Sequence, residues 1–278
     1  MQFLSDIFSY GYLFNAVFSA LMLGVVCGIV GTYVVARRMV FLTGGITHAS
    51  FGGMGIAFFL GFNPLVGALF MAVLSSITVE VFSSRMKIRE DSAIGIIWGV
   101  GMALGALFMS LRPGYTSGDM SSFLFGSILG LTSTDALLIL LLMSCLILGA
   151  IFFGRRVMYA IFDSEFARSA GVRVMPLSLV MSIVIALTIV LSINMMGIVL
   201  LISLMTIPVV VADAVVKSYR AIMCIASLVG SLSCLLGLVL SYYLEVPSGP
   251  SIVFVMVSIL VLEKLVLMWL KKRTLRAR

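Results

Sequence analysis

The chain has 278 residues, 62% hydrophobic and only 10% charged, with 18 Lys+Arg against 11 Asp+Glu, a formal net charge of +7 and a mean hydropathy of +1.25. A soluble domain of this length runs nearer half apolar and a quarter charged, so globular enzymes, disordered tails and coiled coils are excluded, as are collagen-like and disulfide-scaffold designs by six prolines and four cysteines. In lipid the backbone must satisfy its own polar groups in helices or a closed barrel, and the long continuous apolar runs here select an all-α polytopic membrane protein.

The N-terminal stretch MQFLSDIFSYGYLFN lacks a basic start and a small-residue cleavage site, which predicts that the first helix is retained. A span needs about twenty apolar residues. Segments 12–36, 40–62, 65–82, 93–111, 134–153, 176–193, 197–212, 221–243 and 251–270 qualify, giving nine spans. The count falls to eight if the short pair 176–193 and 197–212 forms one hairpin. Between spans four and five, 112–133 is Gly/Ser-rich with one short apolar piece, LFGSIL, and suits an extracytoplasmic or re-entrant segment.

With the N-terminus outside, the inner loops hold Arg37, Arg38, Arg85, Lys87, Arg89, Arg155, Arg156, Arg168, Arg173, Lys217 and Arg220, then every basic residue from Lys264 to Arg278. That is seventeen of the eighteen, with Arg112 the exception, so the positive-inside rule places the N-terminus out and the C-terminus in the cytoplasm. The expectation is a multi-pass protein of the cytoplasmic membrane, with 1–278 a single transmembrane domain. No basic patch is interleaved with aromatics, so nucleic acid is not an expected partner. Cys27, Cys145, Cys224 and Cys234 lie in apolar segments without a CxxC pair and read as small buried hydrophobes.

Several features could carry function. Segment 40–62, VFLTGGITHASFGGMGIAFFLGF, has the small-residue density that lets helices approach closely, and it holds the only histidine, His48. His48 is either a packing histidine bonded to a carbonyl or a neutral imidazole lining a translocation path. Glu80 lies about one and a half turns from Arg85 and reads as a paired or snorkelling charge. Glu90 and Asp91 open span four, where carboxylates favour a helix N-terminus.

In the inner loop RRVMYAIFDSEFARSAGVRVMP, Asp163 can cap a helix, Glu165 suits its first turn, Arg168 its last turn and Gly171 a left-handed stop. The pattern predicts a short amphipathic surface helix, either a plain connector or a docking site for a cytoplasmic partner. Because the chain has no G-x-x-x-x-G-K-[ST] phosphate loop, any ATPase driving it is another polypeptide. Pro208, and Pro247 with Pro250 before the last span, are candidate helix breaks or gates.

Five stretches in order, ARRMVFLTGGITHASFGGMGIAFFLG (36–61), REDSAIGIIWGVGMALG (89–105), FDSEFARSAGV (162–172), GIVLLISLMTIPVVVA (197–212) and VPSGPSIVF (246–254), resemble the manganese/zinc/iron permease family of ABC transporters. The resemblance implies a bundle like that of type II ABC importers, working by alternating access. Two permeases, copies or paralogues, would frame one path, with two ATP-binding subunits below and an extracytoplasmic metal-binding protein above. It makes 155–175 the coupling loop, with Asp163, Glu165, Phe166, Arg168 and Gly171 in the coupling helix, and places His48, Glu90 and Asp91 on the metal path.

It implies no permanently bound cofactor: ATP belongs to the partner, and zinc or manganese, with iron a third candidate, is cargo. One position departs from the pattern, since the family commonly has Asp four residues before the histidine and this chain has Gly44. That departure keeps a metal chelate or cobalamin-like compound open as cargo. An ion-coupled secondary transporter has only His48 and Glu80 to work with, and no catalytic constellation supports an enzyme.

Overall fold

The computed structural model describes residues 6–7, 9–86, 89–111 and 131–276. The expected extracytoplasmic or re-entrant segment, 112–133, therefore lies outside the described residues except at its last three positions. The helices are α1 Gly11–Ala36, α2 Val40–Leu60, α3 Pro64–Met86, α4 Glu90–Ser110, α5 Ser133–Phe162, α6 Ser164–Ser169, α7 Val174–Val215, α8 Tyr219–Leu244 and α9 Ser248–Arg276. No strand occurs among the described residues.

Eight helical stretches are long and apolar enough to cross a membrane, the two arms of α7 counting separately. The ninth expected span, α2, is not among them, because its glycines, hydroxyls and His48 dilute the hydropathy. Its surroundings account for this composition. Most of α2 is buried against protein, so it needs small residues for close packing more than apolar ones for lipid. By contrast α5 is largely exposed, with Phe152 at 73% and Leu141 at 59%, as expected of a helix that presents large apolar side chains to acyl chains.

The contacts divide the chain into two compact units whose boundaries fall inside α1, α5 and α7. One comprises the N-terminal part to Thr32, α5 up to Met143, and everything from Ser203 onward. Within it, Ser231 Oγ donates to Leu21 O at 2.9 Å, tying α1 to α8, and α8 packs on α9. Tyr242 OH donates to the Asp6 carboxylate.

The other unit holds Tyr33 through α4 together with Ser144–Ile202. Here α2 packs against both α3 and α4. A Cβ on Gly52 would lie 2.7 Å from Gly101 O, so the α2–α4 crossing has backbone directly against backbone. Dispersion contacts at that range, with no side chain between, are what hold apolar helices together where lipid competes for hydrophobic surface.

Three sequence expectations change. The helix continues through Pro208, a candidate break, and α7 is interrupted at Gly197, whose φ of 74° and ψ of 170° fall at the junction expected between spans 176–193 and 197–212. Proline's fixed φ is helical, and Pro208 deprives only the Leu204 carbonyl of its intrahelical donor. Pro247 and Pro250 start a helix: Pro247 precedes α9 and Pro250 sits in its first turn, where a missing N–H costs nothing. Of the four cysteines only Cys27 and Cys234 are buried, whereas Cys145 and Cys224 are exposed. In a lipid-facing position a thiol needs no protein cover, so an apolar segment does not by itself predict burial within the chain.

Candidate functional site

His48 lies near the middle of α2 and is half-buried. Its imidazole stacks on the indole of Trp98, with centroids 4.2 Å apart and planes at 16°. Its Nδ1 lies 3.1 Å from Met102 Sδ. Trp98 and Met102 are four residues apart on α4 and so share a face, as do Gly44 and His48 on α2. The two faces interlock. A Cβ on Gly44 would sit 3.1 Å from Trp98 Cζ3, so the indole occupies the space a side chain at position 44 would enter. Gly101 backs the site, where a Cβ would come within 2.8 Å of His48 O.

The neighbouring hydroxyls are committed to their own helix. Thr47 Oγ1 donates to Thr43 O and Ser50 Oγ to Thr47 O, each at 2.6 Å. A cavity of about 60 Å³ is lined by Ser50 together with Met54, Pro64, Leu65, Ala68, Val190 and Ile193, so Ser50 is its one side-chain hydroxyl.

Asp91 does not join His48. Glu90 is the first residue of α4, and Asp91 is exposed, 4.0 Å from the Arg89 guanidinium. Seven residues separate Asp91 from Trp98, about 10 Å along a helix. Among the described residues no three His, Cys, Asp or Glu side chains come together as a metal cage. What the structure brings to His48 is an aromatic face and a thioether, neither identified from the sequence. Their one sequence signal is Trp98-x-x-x-Met102 on a helix otherwise rich in glycine.

The second site is the surface helix α6. Asp163 caps it, its carboxylate accepting from Glu165 N at 3.0 Å and Phe166 N at 2.9 Å. At the other end Val172 N bonds Ala167 O and Gly171 N bonds Arg168 O, with Gly171 at φ 81°, the paired bonds of a Schellman stop. Ala167 is buried beneath the helix, while Glu165, Phe166 and Arg168 are exposed. Phe166 meets Tyr159 of α5 edge-on at 5.2 Å. Because α5 continues to Phe162, well past the expected 153, most of the inner loop is helix and α6 is seated on a rigid stalk.

Beside that stalk, Glu80 meets a hydroxyl of α7. Ser178 Oγ of α7 donates to Glu80 Oε1 at 3.0 Å, and the Tyr33 hydroxyl sits among Arg37, Glu80 and Ser178. The cluster borders a cavity of about 10 Å³, also lined by Val157 and Ile161 of α5 and by Leu177. Charges at this depth are stable when each is answered by a hydrogen bond or an opposite charge.

A model of the ABC 3 transport family matches residues 9–267. The chain belongs to that family. It is 32% identical over 246 residues to an uncharacterized membrane protein of Synechocystis sp., the match covering 88% of this chain and 87% of the relative. It is 29% identical over 253 residues to the manganese transport system membrane protein MntC of Halalkalibacterium halodurans, covering 91% and 86%. Among solved structures, PsaBC from Streptococcus pneumoniae, determined in complex with Fab, matches with a TM-score of 0.84 at 26% identity over 94% of both chains. As an ABC 3 family member with eight apolar spanning stretches, the chain is a multi-pass membrane component of an ABC transporter.

Proposed function

We propose that this chain is the permease subunit of an ABC importer for a divalent metal ion, zinc or manganese before iron. The observation that carries the reading is the family match over 9–267, with relatives that include a manganese transport membrane protein. In this reading the permease pairs with a second copy or a paralogue around one path. Two ATP-binding subunits dock on the cytoplasmic side, and an extracytoplasmic binding protein delivers the ion. The capped helix α6 is the coupling element. Its exposed Glu165, Phe166 and Arg168 follow the end of α5 across the single capping residue Asp163, a short path by which movement of a docked ATPase reaches a span. His48 lines the path, with Glu90 and Asp91 nearer its mouth at the start of α4.

A metal chelate as cargo keeps one point of support, the absence of a carboxylate at Gly44, against the metal-transport names among the relatives. The discriminating experiment is uptake into proteoliposomes holding the permease, its ATPase and the binding protein. ATP-dependent accumulation of free zinc or manganese is expected, with none driven by a proton gradient alone. Glu165→Arg, which reverses a charge on the exposed face of α6, is expected to abolish uptake while leaving membrane insertion intact. Normal uptake by that variant would remove the coupling assignment.

A further inference from the structure

We infer that the end of α9 is a docking surface for anionic phospholipid headgroups, held by a collar of Lys271, Lys272 and Arg273 just beyond Trp269. The inference concerns the bilayer and holds whatever the cargo.

The length of the helix sets where the collar lies. α9 has 29 residues, about 43 Å of helix, against a hydrocarbon core of about 30 Å. Counted from Ser248, an upright helix crosses that core in about twenty residues, which brings it to Met268. Trp269 then falls at the interface, where amphipathic indoles collect. Lys271, Lys272 and Arg273 follow over the next ~7 Å, the thickness of one headgroup layer.

Exposure shows what surrounds the helix there. Leu265 through Leu270 are all exposed, from 38% at Leu267 to 60% at Met268. Six successive residues make more than one and a half turns, so the described chain covers no face of α9 at this level. A partner helix or subunit buries one stripe, whereas a helix apolar all round is one that acyl chains enclose.

Charge selects the headgroup. The three basic side chains are exposed, and successive positions about 100° apart spread them round more than half of the circumference. No Asp or Glu follows Glu263 in the sequence, and among the described residues none of the three enters an ion pair. Arg273 is set over the Trp269 ring at 3.9 Å. A guanidinium stacked on an indole keeps N–H donors for the phosphate oxygens that its planar fork matches. Basic clusters directly beyond a span attract anionic lipid. Because α8 packs on α9, headgroups gripped there fix the depth of both helices.

The test uses the full chain in phosphatidylcholine vesicles. Trp98 and Trp269 are its two tryptophans, so Trp98→Phe leaves Trp269 as the reporter. Its fluorescence is followed as the lipid is replaced by brominated phosphatidylcholine or brominated phosphatidylglycerol, whose bromines quench at contact. The anionic lipid is expected to bind beside Trp269 about fivefold more tightly, the contribution of a single basic residue at an anionic surface. The preference is expected to fall towards one when Lys271→Gln, Lys272→Gln and Arg273→Gln are combined. It is expected to fall likewise with the collar intact in about 1 M salt, where the screening length is about 3 Å. Equal quenching by the two lipids would overturn the proposal, as would a preference that the triple substitution leaves unchanged. The salt comparison decides in the same way if the triple variant fails to insert. If Trp98→Phe fails to insert, the ratio is read from the part of the wild-type quenching that Trp269→Phe removes. A Trp269 that neither lipid quenches would show that protein covers the helix end, and would equally overturn the proposal.

Discussion

At Gly197 the backbone takes φ 74° and ψ 170°, a region essentially closed to any residue with a Cβ. The residue is buried, and it sits where α7 changes course between its two apolar arms. Gly197→Ala is therefore expected to cost about 1–3 kcal/mol, read as a lowered melting temperature of the detergent-solubilised permease. Pro208→Ala is expected to have a much smaller effect, because helical dihedrals there are already native. A melting temperature that moves more for Pro208→Ala than for Gly197→Ala would put the break back at the proline. His48 is legible in the sequence as the single histidine, but its partners are not. Trp98 and Met102 lie 50 and 54 positions away on another helix, and their meeting depends on the α2–α4 register that the glycine contacts impose.

Among the elements, α6 is the one whose sequence grammar and structure agree most closely. Asp163 as cap, Glu165 in the first turn, Arg168 in the last and Gly171 in the left-handed stop all stand where the sequence reading puts them. Such local signals survive because capping is decided within a few residues. Six residues are too few for a helix to persist unaided, so α6 depends on its ends. Asp163→Ala removes the acceptor for two backbone N–H groups, at about 1 kcal/mol. The expected result is faster hydrogen exchange confined to 164–170 and weaker coupling of ATP hydrolysis to uptake. Unchanged exchange there would show that burial of Ala167, not the cap, holds the helix. The length of α5 was not legible, because Arg155 and Arg156 end the apolar run while the hydrogen-bond ladder carries on to Phe162. Hydropathy marks where a helix leaves lipid, not where it stops.

For the whole molecule, composition alone identifies the class, and the apolar runs locate every long helix to within a few residues at most ends. Among the long described helices only α2 escapes the hydropathy criterion, since its neighbours are helices and not acyl chains. The charge distribution makes a separate claim, testable without any transport assay. Reporter fusions at Arg38, Gly171 and the C-terminal end are expected to be cytoplasmic, and one at the α8–α9 turn near Pro247 extracytoplasmic. Arg273 lies 3.9 Å over the Trp269 ring near the end of α9, the kind of aromatic and basic pairing found at a membrane interface. A fusion pattern of the opposite sense would invert the topology and move α6 away from any cytoplasmic ATPase.

The central claim is that this chain couples ATP hydrolysis on a partner to passage of a metal ion, and stimulation of that hydrolysis tests it most directly. The permease would be reconstituted with its ATPase, and hydrolysis followed as the binding protein is added empty, then loaded with zinc, manganese or iron. The account expects a rise of several-fold with a loaded protein, lost in Glu165→Arg and reduced in His48→Ala. Hydrolysis indifferent to the loaded protein, or a response to a metal chelate alone, would contradict it.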